Sequence, residues 1–334
     1  MVQVKNIKKN SYPISQKTKE LCKTLGVEKY LPKNTPCDVS FELHNTTTEM
    51  ANALRRCINS EIEVLVMDFE DSNFTSDDSF IILHELKKRI NLIPIRQISG
   101  IKHHINVYND TGVIIPVYSK DIKEGSSKKD IKDRKEQMFS HTFIITYLRP
   151  GKKLVINNIL IKKGISYKNG TMFSFPGKVK YSCIDLEDDE KSGEKIKSSM
   201  LCEPTKYRLT VPKQKFIDPV QIIKIAVKTL GEKISFIERL VDTNTENYYS
   251  SEMEIIYTKN KGSYKIYGET YTIGNLLVRH GMNVDKTIKN IHCIKKHPSF
   301  DYITVELEHA EPRKIMLNAI SDIKKELKNI NDAF

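Results

Sequence analysis

The 334 residues carry 54 Lys and Arg against 42 Asp and Glu, a formal net charge of +12, and 39% of them are apolar. A chain of this length buries more than one core, which excludes a single small module, and its positive surface draws polyanions, whether nucleic acid or acidic protein faces. No apolar run approaches the ~18 residues of a membrane span, and the first residues lack the apolar core of a secretory signal. Cys22, Cys37, Cys57, Cys183, Cys202 and Cys293 are scattered without CxxC spacing, so they give no disulfide framework and point to a reducing, intracellular compartment.

Residues 1–34 are Lys-rich and weakly patterned, and read as an N-terminal arm with one short helix from Gln16 to Leu25. A strand follows at Asp38 to Leu43, with Val39, Phe41 and Leu43 alternating. The next segment, TTTEMANALRRCINSE, sets Met50, Leu54, Cys57 and Ile58 on one helical face; Thr46 is the expected N-cap, with Glu49 at capping-box spacing. IEVLVMDF then reads as a buried strand. From about 70 to 200 the pattern is β-rich, with strands expected at Gly112–Tyr118, His141–Leu148, Leu154–Ile161 and Gly177–Cys183 and a tight turn at Asn169-Gly170. The mixed-charge stretches 121–137 and 186–199 read as solvated loops.

After a strand at Lys206–Val211, Asp218-Pro219 opens a long helix, Asp as cap and Pro at the first position. Its apolar residues Val220, Ile223, Val227, Leu230, Ile234, Ile237 and Val241 alternate spacings of three and four, a heptad seam. Strands at Met253–Thr258 and Tyr264–Gly268 lead to a second short helix, then strands at Lys289–Ile294 and Tyr302–Glu308. Glu311-Pro312 opens a terminal helix with Met316, Ile320, Ile323, Leu327, Ile330 and Phe334 in the same seam spacing. Two long helices with matching seams invite pairing between the two parts of the chain.

The two parts also repeat. FELHNTTTEMANALRR (41–56) lies over YKIYGETYTIGNLLVR (264–279) without a gap, matching Thr47, Asn52, Leu54 and Arg56 to Thr270, Asn275, Leu277 and Arg279. Each copy runs strand, Asn-x-Leu helix, strand, strand, acidic residue-Pro, long heptad helix, so internal duplication is the better reading. The first copy is split by the β-rich stretch.

The first copy resembles the RNA polymerase platform subunit called alpha in bacteria, D in archaea and the third-largest subunit in eukaryotic polymerase II, through FELHNTTTEMANALRR, KRINLIPI (88–95), VYSKDI (117–122) and DPVQIIKIAVKTL from Asp218. The second copy resembles the smaller archaeal partner L through GETYTIGNLLVRH (268–280) and HPSFDYITVELE (297–308). Both partners in one chain, together with YLRPGKKLVINNILIKKGI (147–165), resemble the arrangement in nucleocytoplasmic large DNA viruses, including asfarvirus-like polymerases. The relatives' His-Arg-(Leu/Ile)-Gly pattern stands here as Lys88-Arg89-Ile90-Asn91, and the Ala-Lys-Trp segment of cellular relatives is absent.

The resemblance implies an α+β fold: two alpha-subunit-type dimerisation domains, each a sheet with two helices, one of them the long heptad helix. The first, 35–69 plus 201–245, is interrupted by an inserted β-rich domain at 70–200; the second is 246–334. It implies a non-catalytic assembly platform of a multisubunit DNA-directed RNA polymerase, paired with itself as an intramolecular pseudo-heterodimer. The pairing interface would comprise Met50, Leu54, Val220, Ile223, Val227, Leu230, Ile234 and Ile237 of the first copy. Ile273, Leu277, Ile320, Ile323, Leu327 and Ile330 would come from the second. Asn52, Arg55 and Arg56, and more weakly Asn275 and Arg279, would dock the second-largest subunit, guanidinium groups on a rigid helix being suited to bidentate contacts.

The implied partners are the two largest polymerase subunits and a small platform subunit, with DNA and RNA met only through the assembled complex, no membrane, and no need of a homodimer. The implied place is virion and host cytoplasm if viral, nucleus if cellular. No cofactor and no metal are expected, because the Cys cluster that some relatives carry in the insert is missing. Asp68-Phe69-Glu70-Asp71 lacks the Gly-Asp ending of a polymerase metal site, Gly268 and Gly274 do not have phosphate-loop spacing, and His103-His104 and Cys293 with His297 lack complementary ligands. The competing class is an independent basic nucleic-acid-binding protein, which predicts basic residues clustered with exposed aromatics; here they are spread along the chain.

Overall fold

The computed structural model describes residues 2–10, 20, 23, 38–95, 102–124, 142–173, 178–185, 203–213 and 217–334. The helix expected at Gln16–Leu25, and most of the loops expected at 121–137 and 186–199, lie outside the described residues. Two compact units form: a larger one from Met1–Asn59, Gly177–Gln214 and Asp218–Phe334, and a smaller one from Ser60–Pro176 with Lys215–Ile217.

In chain order, β1 (Gln3–Asn10) and β2 (Asp38–His44) lead to α1 (Thr48–Ser60). The smaller unit supplies β3 (Val64–Asp68), β4 (Phe74–Ser76), α2 (Leu83–Asn91), β5 (His103–Tyr108), β6 (Ile115–Tyr118), β7 (Ile122–Glu124), β8 (Ile144–Leu148) and β9 (Lys153–Gly164). The larger unit resumes with β10 (Lys180–Cys183), β11 (Lys206–Val211), α3 (Pro219–Thr243), β12 (Tyr248–Tyr249) and β13 (Met253–Thr258). It closes with β14 (Lys261–Tyr267), α4 (Tyr271–Val284), β15 (Asn290–Ile294), β16 (Tyr302–Glu308) and α5 (Pro312–Asp332).

Two antiparallel sheets build the larger unit, in the orders β1-β2-β11-β10 and β12-β13-β14-β16-β15. Leaving out β12, the second order repeats the first strand for strand. The repeat extends to single residues. β2 and β14 begin and end 223 positions apart, and both alternate inward and outward faces along their length. The residue after each strand, Asn45 or Gly268, turns into the left-handed region at φ 55° or 69°. Two residues on, Thr47 or Thr270 caps the helix: Oγ1 of Thr47 accepts the Met50 amide at 3.2 Å, and Oγ1 of Thr270 accepts the Thr272 amide at 3.4 Å. The cap expected at Thr46 therefore falls one residue later. Thr46 itself is buried and gives its amide to the Thr205 carbonyl at 3.3 Å.

The weakly patterned N-terminus contributes a strand where the sequence suggests an arm: β1 pairs along β2, with a register shift between Lys5 and Lys8. An edge strand with one solvated face can carry Lys and Asn, so its sequence shows little apolar alternation. Its counterpart in the second sheet is β13.

α3 and α5 start as their sequences predict, with Asp218 Oδ1 accepting the Val220 amide at 2.9 Å and Pro at the first position of each helix. They pack antiparallel. Near the start of α5, Arg313 donates from Nε to the Val241 carbonyl at 3.1 Å and from Nη2 to the Asp242 carbonyl at 2.5 Å, capping the end of α3. Ile223, Val227, Leu230, Ile234, Ile237 and Val241 are buried on α3, as are Met316, Ile320, Ile323, Leu327 and Ile330 on α5; Val220 is only half-buried. The α3 face is wider than a two-helix seam, with Ile222, Ala226 and Leu240 also buried, because α3 lies against β2 as well as α5.

The smaller unit is a sheet β3-β9-β5-β7, with β4 added along β9, and a separate β6-β8 pair. Its core gathers Met67, Phe69, Leu86, Ile90, Ile105, Ile145, Leu148 and Ile156. Inside it, Asp78 accepts from the Arg149 amide at 3.0 Å and from Arg149 Nε at 2.9 Å. Burial raises the Asp78 carboxyl, but these bonds and the guanidinium outweigh it and hold the group below the usual carboxylate range. α2 falls in the stretch read as strands and loops; with Leu86 and Ile90 its only fully buried residues, it is too short for the helical period to stand out.

Candidate docking interface

The residues expected to meet a partner sit on α1 and α4, the equivalent short helices of the repeat. On α1, Met50, Ala51, Ala53, Leu54, Cys57 and Ile58 are buried. That leaves Asn52 and Arg55 half-buried and Arg56 exposed. Asn52 Oδ1 accepts from both Nε and Nη2 of Arg55, at 3.0 and 2.6 Å. One turn of helix separates the two, so the amide holds the guanidinium in a fixed orientation before any partner arrives.

Tyr181 of β10 borders this face. It stacks on Tyr207 of β11, ring centroids 5.6 Å apart, and remains 36% exposed. Burial raises its hydroxyl above the usual tyrosine range, and the nearby Arg55 charge pulls in the opposite sense. Tyr207 anchors the group: its hydroxyl lies 2.6 Å from Thr48 Oγ1 and donates to the Pro204 carbonyl at 2.7 Å. Burial pushes that hydroxyl up to about 12. Neither tyrosine stands out in the sequence; only strand pairing brings them beside α1.

On α4 the arrangement differs. Asn275 is exposed, while the position matching Arg55 is Val278. Arg279, the counterpart of Arg56, ion-pairs with Glu203, donating from Nη1 to Oε1 at 3.0 Å, and lies 3.9 Å from Glu49 of α1. Its charge ties α4 to residues of the first half, and a partner that recruits Arg279 must compete with two carboxylates. Next to it, His280 is 3% exposed, and burial pushes its imidazole down to about 4, against the pull of Asp322.

The remaining expected interface residues, apart from half-buried Val220, are buried in the larger unit: Met50 and Leu54 on α1, Ile273 and Leu277 on α4, and the α3 and α5 seams. Further ties join the halves. Lys324 of α5 pairs with Glu238 of α3 at 2.6 Å, Lys233 of α3 with Glu269 before α4 at 2.8 Å, and the rings of Phe41 and Phe334 meet edge-on at 5.0 Å.

The motifs set aside as chemistry have structural occupations. Asp68 is paired with Lys162 at 2.6 Å and Lys87 at 3.8 Å, and Asp71 with Lys87 at 2.9 Å. Gly274 is crossed by Cys293, whose Sγ would stand 2.2 Å from an added Cβ. Burial pushes the Cys293 thiol up to about 11, away from the thiolate needed for metal binding or nucleophilic chemistry.

Comparison with known proteins places these features in a family. Two models, each described as RNA polymerase Rpb3/Rpb11 dimerisation domain, match residues 40–234 and 261–333. The chain is 27% identical over 337 residues to a protein described as DNA-directed RNA polymerase RPB3-11 homolog from a Kenyan isolate of African swine fever virus, covering 93% of this chain and 89% of the relative. The homolog from a Malawi isolate is 28% identical over 278 residues, 76% of this chain and 74% of the relative. A structural repeat in which each copy coincides with a family match leads to one conclusion: this chain belongs to the RNA polymerase Rpb3/Rpb11 dimerisation-domain family and carries that domain twice.

Proposed function

We propose that this chain is the assembly-platform subunit of a viral multisubunit DNA-directed RNA polymerase, and that its two halves form the platform's heterodimer within one polypeptide. The observation that carries this reading is the antiparallel packing of α3 on α5. One family match takes in α3 as far as residue 234 and the other takes in α5, and each helix buries its apolar seam. Full burial is worth about 1.5–3 kcal/mol per large apolar side chain, so the seam supplies ample gross driving force. Separate partners would lose on the order of 4–15 kcal/mol of translational and rotational freedom on pairing. A single chain avoids most of that loss and fixes one-to-one stoichiometry.

In this reading the dimerisation domains are 35–69 plus 201–245 and 246–334, and 70–200 is an insert. The chain performs no chemistry itself. Asn52, Arg55 and Arg56 dock the second-largest subunit: Arg55, pre-oriented by Asn52, offers a guanidinium that loses little freedom when it meets a carboxylate or carbonyl. Asn275 supplies a lesser contact, and Arg279 serves first as an internal tie. The other partners are the largest subunit and a small platform subunit, in the virion and the host cytoplasm.

The test is affinity purification of the tagged chain from its native source, wild type against an Arg55→Glu, Arg56→Glu double variant. Stoichiometric recovery of the two largest polymerase subunits by the wild type, with loss of the second-largest by the variant, is expected. A wild-type chain recovered alone or only with nucleic acid removes the polymerase reading. Unchanged recovery by the variant removes the docking face alone.

A further inference from the structure

α3 and α5 bury one seam between them, and an open groove of about 600 Å³ runs along one edge of that seam. Val227 and Leu327 form its floor, and Ile225 stands 40% exposed within it. Lys224 and Lys228, one turn apart on α3, face Lys324 and Lys328, one turn apart on α5. Glu232 is, among the described residues, the one carboxylate in the lining, 3.7 Å from Lys228. Lys324 is held by Glu238. Among the described residues no carboxylate pairs with Lys224 or Lys328. The groove is therefore a greasy slot between two rows of ammonium groups.

Gly231 sits in that lining, inside a 25-residue helix. Apart from proline, glycine is the least favourable residue in a helix interior. A Cβ added at Gly231 would meet nothing within 4 Å, so none of the described residues requires the position to be bare. Gly274, by contrast, is filled by Cys293. A bare backbone facing an open groove fits an occupant that comes from outside and packs close.

We propose that this α3–α5 groove docks an acidic amphipathic helix of a partner protein, its apolar side chains on Val227, Leu327 and Ile225 and its carboxylates between the lysine rows. The lining from Lys224 to Ser235 spans about 18 Å of helix axis, room for about three turns of a docked helix. Nucleic acid is the poorer fit: phosphates gain nothing from an aliphatic floor, and among the described residues no aromatic ring lines the groove for bases to stack on. This inference does not depend on α1 and its arginines.

The experiment uses the full chain and a fluorescein-labelled peptide of about 14 residues, long enough to line the groove as a helix. Its Leu residues recur at spacings of three and four, and Glu fills the other positions. Controls are the same peptide with Lys for each Glu and a single-stranded oligodeoxynucleotide of similar charge. The acidic peptide should bind and the basic one should not. Gly231→Gln should weaken binding at least about tenfold without lowering the unfolding midpoint, because it fills the groove with a better helix former. Lys224→Glu with Lys328→Glu should weaken it at least as much. Failure of the acidic peptide to bind, or equal binding by wild type and Gly231→Gln, overturns the proposal. Oligonucleotide binding that Gly231→Gln abolishes would overturn it in favour of a nucleic-acid groove.

Discussion

Asn45 and Gly268, 223 positions apart, make the same left-handed turn between a strand and a capped helix, with φ of 55° and 69°. The two copies have diverged in side chain and kept the backbone. A left-handed residue with a Cβ costs about 1–2 kcal/mol unless it is Asn or Asp, whose short polar side chain eases the strain. Nothing stands within 4 Å of a Cβ added at Gly268, so the cost there is conformational alone. Gly268→Ala should destabilise the larger unit by about 1–2 kcal/mol, and Gly268→Asn by clearly less. At the matching position, Asn45→Ala should cost about 1 kcal/mol and Asn45→Gly only a few tenths. Urea midpoints of the four variants check this; equal loss for Gly268→Ala and Gly268→Asn would show that the turn is not the reason for glycine there.

What the sequence made legible was what local patterning dictates. β2 and β14 alternate, α1 and α4 follow each at the same interval, and Asp-Pro or Glu-Pro announces α3 and α5. Those signals lie within a few residues of the element they specify. β1 escaped because an edge strand tolerates Lys and Asn, and α2 because it buries only Leu86 and Ile90. The surroundings of the proposed docking residues were hidden for a different reason. Glu203 meets Arg279, and Tyr181 reaches the Arg55 face, only through tertiary packing. That the side of α3 at Gly231 faces an open groove appears only once α5 is in place.

Gly274 and Cys293 form a pair with a sharp consequence. A Cβ at Gly274 would lie 2.2 Å from Sγ, 3.0 Å from Ile303 Cδ1 and 3.2 Å from the Cys293 Cβ. Gly274→Ala gains helix propensity, yet overpacking of this kind costs about 1–3 kcal/mol, so a net loss is expected. Cys293→Ala in the same chain removes the nearest atom and should recover part of the loss. Thermal melts of the single and double variants decide it, and a single variant as stable as wild type would refute the close contact.

Arg279 links α4 to Glu203 and Glu49, but Glu203 is largely exposed, so the stabilisation is small. A double-mutant cycle with Arg279→Ala and Glu203→Ala should give a coupling of about 0.2–1 kcal/mol. If the proposed docking by Asn52, Arg55 and Arg56 holds, the same Arg279→Ala chain should still retain the second-largest polymerase subunit in the affinity purification, because those three residues are intact. Loss of that subunit with no coupling to Glu203 would instead make Arg279 a primary docking residue.

Buried His280 and half-buried Glu326 in the larger unit set opposite pH dependences. Burial pushes the Glu326 carboxyl up from 4.5 to about 7 and the His280 imidazole down from 6.5 to about 4. Folded Glu326 keeps its proton where the unfolded chain has released it, so its contribution is full below 4.5 and lost as pH rises through 7. Folded His280 refuses a proton that the unfolded chain accepts, so its contribution is full above 6.5 and lost as pH falls towards 4. Between 4.5 and 6.5 the two slopes oppose each other. Glu326→Gln should therefore be more stable than wild type at pH 8, by about 1–3 kcal/mol, with the advantage vanishing near pH 4.5. His280→Gln should change the profile in the opposite sense, its stability relative to wild type improving as pH falls from 6.5 to 4. Urea midpoints at pH 4.5, 5.5, 6.5 and 8 resolve both curves. Variant profiles that run parallel to wild type across that range would show that neither group titrates differently in the folded chain.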